Sequence, residues 1–385
     1  VAGAFTANTW VHIVVQRTDA VWEAYVDGVL QTNTGTYKSN STYLTDDLGI
    51  SDATDSNTVI GRQYQAVTHE WEGKISDVKL YDIALSQCEV DYEFSIKQFE
   101  YAIPPVIAVD FVTFAGGGGG TSGFGGSPQA GGGAGGFRTS FGSNSGGGTT
   151  AMSALQFSLD TDYIVSIGAG GAGALNSSGA VAGNGTSSYI TGLTTTVGGG
   201  GGISWSTTST PATGGSGAGQ SYNGESGGAG QGTTGEGFAG GVPTVDGPGG
   251  GGGGAASAGT WNSTDKGVGG TGIDTLITGT SAGFAGGGGR INSHGGGLSK
   301  QFSGGHARGG AGGSGTGGGG GGGYGTGTLP GGNGGSGRIF LRYPAAYTLV
   351  KVTSFYTLKI NEVCSDDSNF KYTDIQGDGT FKFTE

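Results

Sequence analysis

Apolar and polar residues alternate from position 10 to 85 as they do in strands. In "WVHIVVQRT", Val11, Ile13 and Val15 fall on one face, and His12 and Gln16 fall on the other. "VWEAYVDGVL" continues the pattern and runs into Asp27-Gly28, a dipeptide suited to the positive φ of a tight hairpin turn. "WEGKISDVKLYDIAL" places Ile75, Val78, Leu80 and Leu85 at strand spacing, with Trp71 and Tyr81 as large anchors. Short strands with polar turns between them predict an antiparallel sandwich. The same signal returns in "VIAVDFVTFAG", "TDYIVSIGAG", "SYITGLTTTVGGG" and "GRIFLRYP". It returns again in the tail, "AYTLVKVTSFYTLKINEV" and "FKYTDIQGDGTFKFTE", where Gly377-Asp378-Gly379 marks a turn. The fold class is all-β.

What separates the later strands is glycine. Residues 115–337 hold all but eight of the 93 glycines. A flexible linker would have this composition without the embedded strands. It would also lack the aromatic residues that recur between the runs, such as Phe137, Trp205, Tyr222, Trp261, Phe284 and Tyr324. An ordered reading must answer for the large backbone entropy that glycine loses on folding. Extended threefold helices do so: they have three residues per turn, rise about 3.1 Å per residue and make no internal hydrogen bonds. Every N–H and C=O then points outward to a neighbour, and without a Cβ the neighbours come close. The runs at 115–120, 131–136, 198–202, 249–254, 285–289, 316–323 and 331–335 suit such helices. Collagen is excluded, because there is no strict Gly-X-Y period.

Charge narrows the partners. Most of the net charge of −12 lies in the first 110 residues, and no Lys/Arg cluster occurs. Such a chain is a poor partner for nucleic acid or anionic membranes. No apolar stretch approaches the roughly 18 residues of a membrane span. Cys88 and Cys364 lie far apart in unrelated segments and read as unpaired. The chain opens at Val1, so a fragment of a longer protein is expected.

Candidate chemistry is thin. "DYIVSIGAGGAG" carries the letters of a dinucleotide fingerprint at Gly168, Gly170 and Gly173. The fingerprint needs a following helix and an acid about 20 residues on. Neither is present, since no Asp or Glu occurs between Asp162 and Glu225. The acidic loop "TDDLGISDATDS" offers Asp46, Asp47, Asp52 and Asp55 as calcium ligands, with a solvated acidic loop as the alternative. His12, His69, His294 and His306 form no metal-ligand spacing, and no nucleophile elbow appears. No enzyme activity and no cofactor are expected.

Two family resemblances rest on these stretches. "WVHIVVQRTDAVWEAYVDGVL", "VIGRQY" and "WEGKISDVKLYDIALS" resemble the laminin-G-like, concanavalin-A-like jelly roll, with Gly73, Ile75, Val78, Leu80 and Tyr81 on its closing strand. Only the later strands of such a domain match, which implies a sandwich that is incomplete as given. "VDFVTFAGGGGG", "YIVSIGAGGAG", "NGTSSYITG" and "GGNGGSGRIFLRYP" resemble the glycine-rich domain of bacteriophage tail-fibre and adhesin proteins, some of which pack polyglycine-II helices. The implied organisation is a partial jelly roll at 1–100, a glycine-rich polyglycine-II domain at 101–344 and a small β module at 345–385. The resemblance implies a virion-surface, receptor-binding protein, with host glycan or outer-membrane protein and other virion proteins as partners, and a trimer by analogy. A bacterial cell-surface or extracellular filament protein is the alternative, and a virion depolymerase is a third. Glycine helices carry no side chains, so receptor contacts must come from their connections. The candidates are Trp205, Tyr222, Asn223, Trp261, Asn262, Asn292 and His294, and the two Trp are also read as caps packed over helix ends.

Overall fold

The computed structural model describes residues 11–18, 21–31, 78–79, 81, 83–100, 106–122, 129–175, 180–204, 210–221, 228–243, 249–262, 266–289, 304–305, 309–323 and 330–385. It divides into two compact units, Val1–Pro104 and Pro105–Glu385. Both contain antiparallel sheet, as the alternation predicts.

In the first unit, β1 (Ile13–Thr18), β2 (Val21–Val26) and β3 (Val29–Leu30) form an antiparallel sheet. The β2–β3 turn is Asp27-Gly28, with φ of 49° and 77°, so both residues take the left-handed conformation that the dipeptide favours. The expected closing strand at 71–81 lies almost wholly outside the described residues. The all-strand reading is corrected just beyond it: Gln87–Glu100 is a helix, α1. Its start is a capping box, with the Ser86 amide donating to Glu89 at 2.7 Å and the Glu89 amide donating to the Ser86 hydroxyl at 3.4 Å. Hydrogen bonds from Ser86 also hold the Glu89 carboxyl below its ordinary range. The helix buries Val90 against Tyr25 and Leu85, with Val14 at the edge.

The second unit is a two-layer sandwich. The first layer contains β4 (Val106–Phe114), β5 (Phe137–Thr139), β6 (Leu155–Ser158), β13 (Arg338–Pro344), β15 (Thr357–Val363) and β16 (Phe370–Ile375). Its order is β15-β16-β13-β4-β5, with β6 also paired to β4. The second layer runs β14-β17-β7-β8, from β7 (Tyr163–Ser166), β8 (Tyr189–Ile190), β14 (Thr348–Lys351) and β17 (Gly379–Thr384). Between the layers lies a core that includes Val109, Phe111, Leu341, Tyr343, Phe381 and Phe383. On the other face of β4, Val112 and Phe114 join Phe137, Phe284 and Phe340 in a second core. From Phe111 to Phe114 both faces of β4 are buried, which is why this half reads as a nearly unbroken apolar run. The tail supplies β14 to β17, so it completes both layers and shares their cores with the strands before it.

The glycine runs form the predicted lattice. Ala115, Gly118 and Thr121 donate to Gly136, Gly133 and Ala130; Gly116 and Gly119 donate to Thr186 and Gly183; Gly117 and Gly120 donate to Gly335 and Gly332. These bonds span 2.8–3.1 Å, and every third amide reaches the same neighbour. That is the signature of a threefold helix. The carbonyls of the same helix accept from three further neighbours, Gly171 and Ala174, Gly199 and Gly202, and Gly320 and Gly323. The 115–121 helix is therefore enclosed by six others, like a rod in a hexagonal bundle. The spacing leaves no room for a side chain: a Cβ on Gly118 would overlap the Gly200 carbonyl oxygen, and one on Gly132 that of Gly118.

Candidate functional site

The sandwich and the lattice meet end to end. β4 passes at Phe114 into the 115–121 helix, and the 330–337 helix passes into β13, where Arg338 stands opposite Phe114. At the other end of the lattice the helix ends gather. Thr121 donates to Ala130 and accepts from Gly323, Gly331 donates to Ala174, and Ser204 donates to Ala180. The Ser122 hydroxyl donates to the Leu175 carbonyl at 2.5 Å. Gly219 donates to Gly131, and Gln220 donates to Gly241 and accepts from Gly250. The side chains just below this end are polar and uncharged: Thr121, Ser122, Gln129, Ser204, Gln220 and Ser221 are all buried.

Most sequence candidates fall in segments outside the described residues. Trp205, Tyr222, Asn223, Asn292 and His294 lie outside the described residues, as do Asp46, Asp47, Asp52, Asp55, His69 and His306. Trp261 and Asn262 sit on β9 (Thr260–Asn262), a short ribbon paired with β10 (Lys266–Val268). Trp261 is half-buried, and its indole Nε1 is buried without a hydrogen-bond partner. These two are consecutive on one strand, and the other five lie outside the described residues. His12 stacks on Phe94 at 5.9 Å between ring centroids. Among the described residues, no group of three or more His, Cys, Asp or Glu could hold a metal.

The fingerprint glycines belong to the lattice. A Cβ on Gly170 or Gly173 would run into the carbonyls of Gly334 or Gly331. Sequence reasoning missed the residues that finish the lattice edge. Along the outer 168–175 helix, every third residue faces out, and those are Ala169, Ala172 and Leu175, while Gly168 and Gly171 are buried. Amides that meet no backbone carbonyl receive a side chain from an adjacent stretch instead. The Gly201 amide donates to Asn184 Oδ1 at 2.8 Å, and the Gly173 amide to Asn333 Oδ1 at 2.8 Å. The Ala169 amide donates to the Thr186 hydroxyl at 2.7 Å. The Ser188 hydroxyl accepts from Gly168 at 2.9 Å and donates to the Phe114 carbonyl at 3.0 Å. The "NGTSS" motif was the signal, and its Asn184, Thr186 and Ser188 are structural groups that satisfy buried and edge backbone.

Buried charges are likewise committed. Glu236, fully buried, accepts from Arg138 Nη2 at 2.7 Å and from the Val197 amide at 2.7 Å. Asp374 is bound by both Nε and Nη2 of Arg338. Arg342 pairs with Asp366 at 3.0 Å and lies between the rings of Phe141 and Phe370. Both cysteines are free, and Cys364 is buried.

A polar plug ties the tail to the sandwich. The Tyr343 hydroxyl donates to Asn361 Oδ1 at 2.8 Å and lies 2.6 Å from the Thr373 hydroxyl. Asn361 also brackets Leu349, accepting from its amide at 2.8 Å and donating to its carbonyl at 3.0 Å. Burial pushes the Tyr343 phenol above its ordinary value of 10.0. The folded chain thus holds this proton more tightly than the unfolded chain does. Its contribution is complete below the unfolded value and is lost as pH rises from there toward the folded one. Stability is expected to fall above about pH 10, and Tyr343→Phe is expected to flatten that fall while losing about 1 kcal/mol at neutral pH. Thermal melts across alkaline pH check this; an equal slope in both proteins would exclude it.

The second unit thus joins a sandwich at one end of a glycine lattice to a gathering of helix ends at the other. Residues 95–344 match the family described as Glycine-rich domain, and the chain belongs to that family. Residues 1–91 match the concanavalin A-like lectin/glucanases superfamily. No curated protein matches the chain. The two domain types fit an adhesin-like or extracellular protein. Among the described residues, no helix is long and apolar enough to cross a membrane.

Proposed function

We propose that this protein is a virion-surface adhesin of the tail-fibre type, which attaches to host glycan or outer-membrane protein without catalysis. The observation that carries the reading is the convergence of helix ends at the end of the lattice opposite the sandwich. A helix with six hydrogen-bonded neighbours has little freedom to bend, so the helix ends from which the connections leave are held at fixed spacing. Those connections contain the aromatic, amide and hydroxyl groups of Trp205, Tyr222, Asn223, Asn292 and His294, with Trp261 and Asn262 on the adjoining ribbon. Such groups suit glycan and protein surfaces. The acidic first domain is a poor partner for nucleic acid and anchors to other virion proteins in this reading. Self-association as a trimer and an extracellular location belong to the same proposal.

The test is competition for host adsorption by the purified chain. Alanine at Tyr222, Asn223, Asn292 or His294 is expected to weaken competition by about tenfold, the loss of about 1.4 kcal/mol, with the melting temperature unchanged. If adsorption survives all of these replacements, the contacts lie elsewhere. If melting falls before adsorption does, the side chains are packing groups.

A further inference from the structure

The outer face of the first layer carries a second feature, far from the proposed contact loops in function and independent of the adhesive reading. β11 (Ile273–Thr275) and β12 (Ala282–Phe284) form a hairpin that lies against Phe340 and Phe114. Between this hairpin and β15 there remains an open cleft of about 360 Å³. Thr275 and Thr278 line one wall, and Leu358 and Lys359 the other. Phe284, Phe340, Tyr372 and the Arg338–Asp374 pair also line it.

The lining sets the ligand. The volume sits at the small end of the range for ligand clefts, roughly 300–1,000 Å³, and suits one ring rather than a chain of them. Two cations, Arg338 and Lys359, face one buried carboxylate, Asp374, in a chain whose net charge is −12. Arg338 is held by Asp374. Lys359 is held only loosely: it pairs with Glu362 at 3.6 Å, and both side chains are about half exposed. A pair of that kind is worth little and is readily exchanged for a better anion. The Tyr372 phenol lines the cleft, and the Thr275 hydroxyl accepts from the Ile277 amide at 3.2 Å, which leaves its proton to donate. Phe284 and Phe340 supply an apolar side. The cleft thus offers one exchangeable cation, several hydroxyl donors and acceptors, and an apolar wall. No nucleophile with an adjacent base accompanies them among the described residues, so the chemistry is binding.

We propose that this cleft binds a single acidic sugar unit, with its carboxylate on Lys359 and its hydroxyls on Tyr372 and Thr275. The site lies in the body of the second unit and does not depend on the lattice end, so the two fail separately.

The experiment titrates the full chain with the methyl glycoside of glucuronic acid, with methyl glucoside, and with a short glutamate peptide, by calorimetry and by NMR of the cleft residues. The uronate is expected to bind saturably in the millimolar range and to weaken at high salt, because its anchor is an exposed charge pair. Methyl glucoside is expected to bind about tenfold more weakly. Lys359→Gln is expected to bring the uronate to the level of methyl glucoside. Tyr372→Phe is expected to weaken both sugars by about fivefold at an unchanged melting temperature. No saturable binding of the uronate, equal binding of the two sugars, or indifference to Lys359→Gln would each overturn the proposal. Tighter binding of the glutamate peptide would overturn it too, in favour of a peptide carboxylate.

Discussion

Gly118→Ala is expected to unfold the lattice, although it adds a single methyl group. Gly118 lies in the helix that six others enclose, and its Cβ would occupy the place of the Gly200 carbonyl oxygen. A side chain in an ordinary core can turn aside when a neighbour grows; a carbonyl in a hydrogen-bonded helix cannot. The 197–204 helix would have to withdraw along its length, breaking the bonds from Gly199 and Gly202 to Gly116 and Gly119. Overpacking alone costs about 1–3 kcal/mol, and each buried backbone group left unpaired adds about 1–3 kcal/mol. The sum exceeds what a single substitution usually takes from a domain of marginal stability. The melting temperature is expected to fall by roughly 10 °C or more, or the protein to be recovered unfolded. Ala172→Ser is the matched control, since residue 172 faces outward on an edge helix. If Gly118→Ala melts like Ala172→Ser, the close-packed lattice is wrong.

Glu236→Ala is the second large loss. The carboxylate is fully buried and holds Arg138 by Nε at 3.0 Å and Nη2 at 2.7 Å, together with the Val197 amide. It closes the sandwich end of the lattice, where the Phe137 amide also donates to the Glu236 carbonyl. Removing it strands a largely buried guanidinium and a buried amide. Breaking such a pair from one side costs about 3–5 kcal/mol. Replacing Arg138 and Glu236 together by apolar residues of similar volume is expected to restore much of that loss, because the penalty comes from the uncompensated charge. Chemical denaturation of the two single variants and the double variant measures the coupling. A Glu236→Ala change below about 1 kcal/mol would refute the account.

The strands were legible in the chain because alternation and turn dipeptides are local. Asp27-Gly28 announced its hairpin, and the burial of both faces of β4 from Phe111 to Phe114 showed as an apolar run. The lattice was legible too, because only glycine permits the approach seen at Gly118 and Gly132. Helix α1 was missed although Ser86-x-x-Glu89 was in plain view; the strand pattern before it carried the reading past its cap. The place of the tail was not legible. β16 and β17 find β13 and β7 across long separations, and periodicity identifies a strand without naming its partner. The roles of Asn184 and Asn333 were hidden for the same reason, since each serves an amide on another helix. Of the proposed contact residues, Trp261 and Asn262 can be set on a strand, and the rest fall outside the described residues.

The six-neighbour arrangement bears on the response to tension. Seven amides of the 115–121 stretch donate sideways, and six of its carbonyls accept sideways. All of these bonds lie across the axis of the helix. A pull along that axis loads them in shear and loads them together, so none can fail alone in the manner of a zipper. The central helix continues directly into β4, whose ladders to β13 and β6 also run across the line of pull. Force applied at the lattice end and resisted at Val106 therefore meets one unbroken series of parallel bonds. A part so built resists extension along its length far better than peeling from its side.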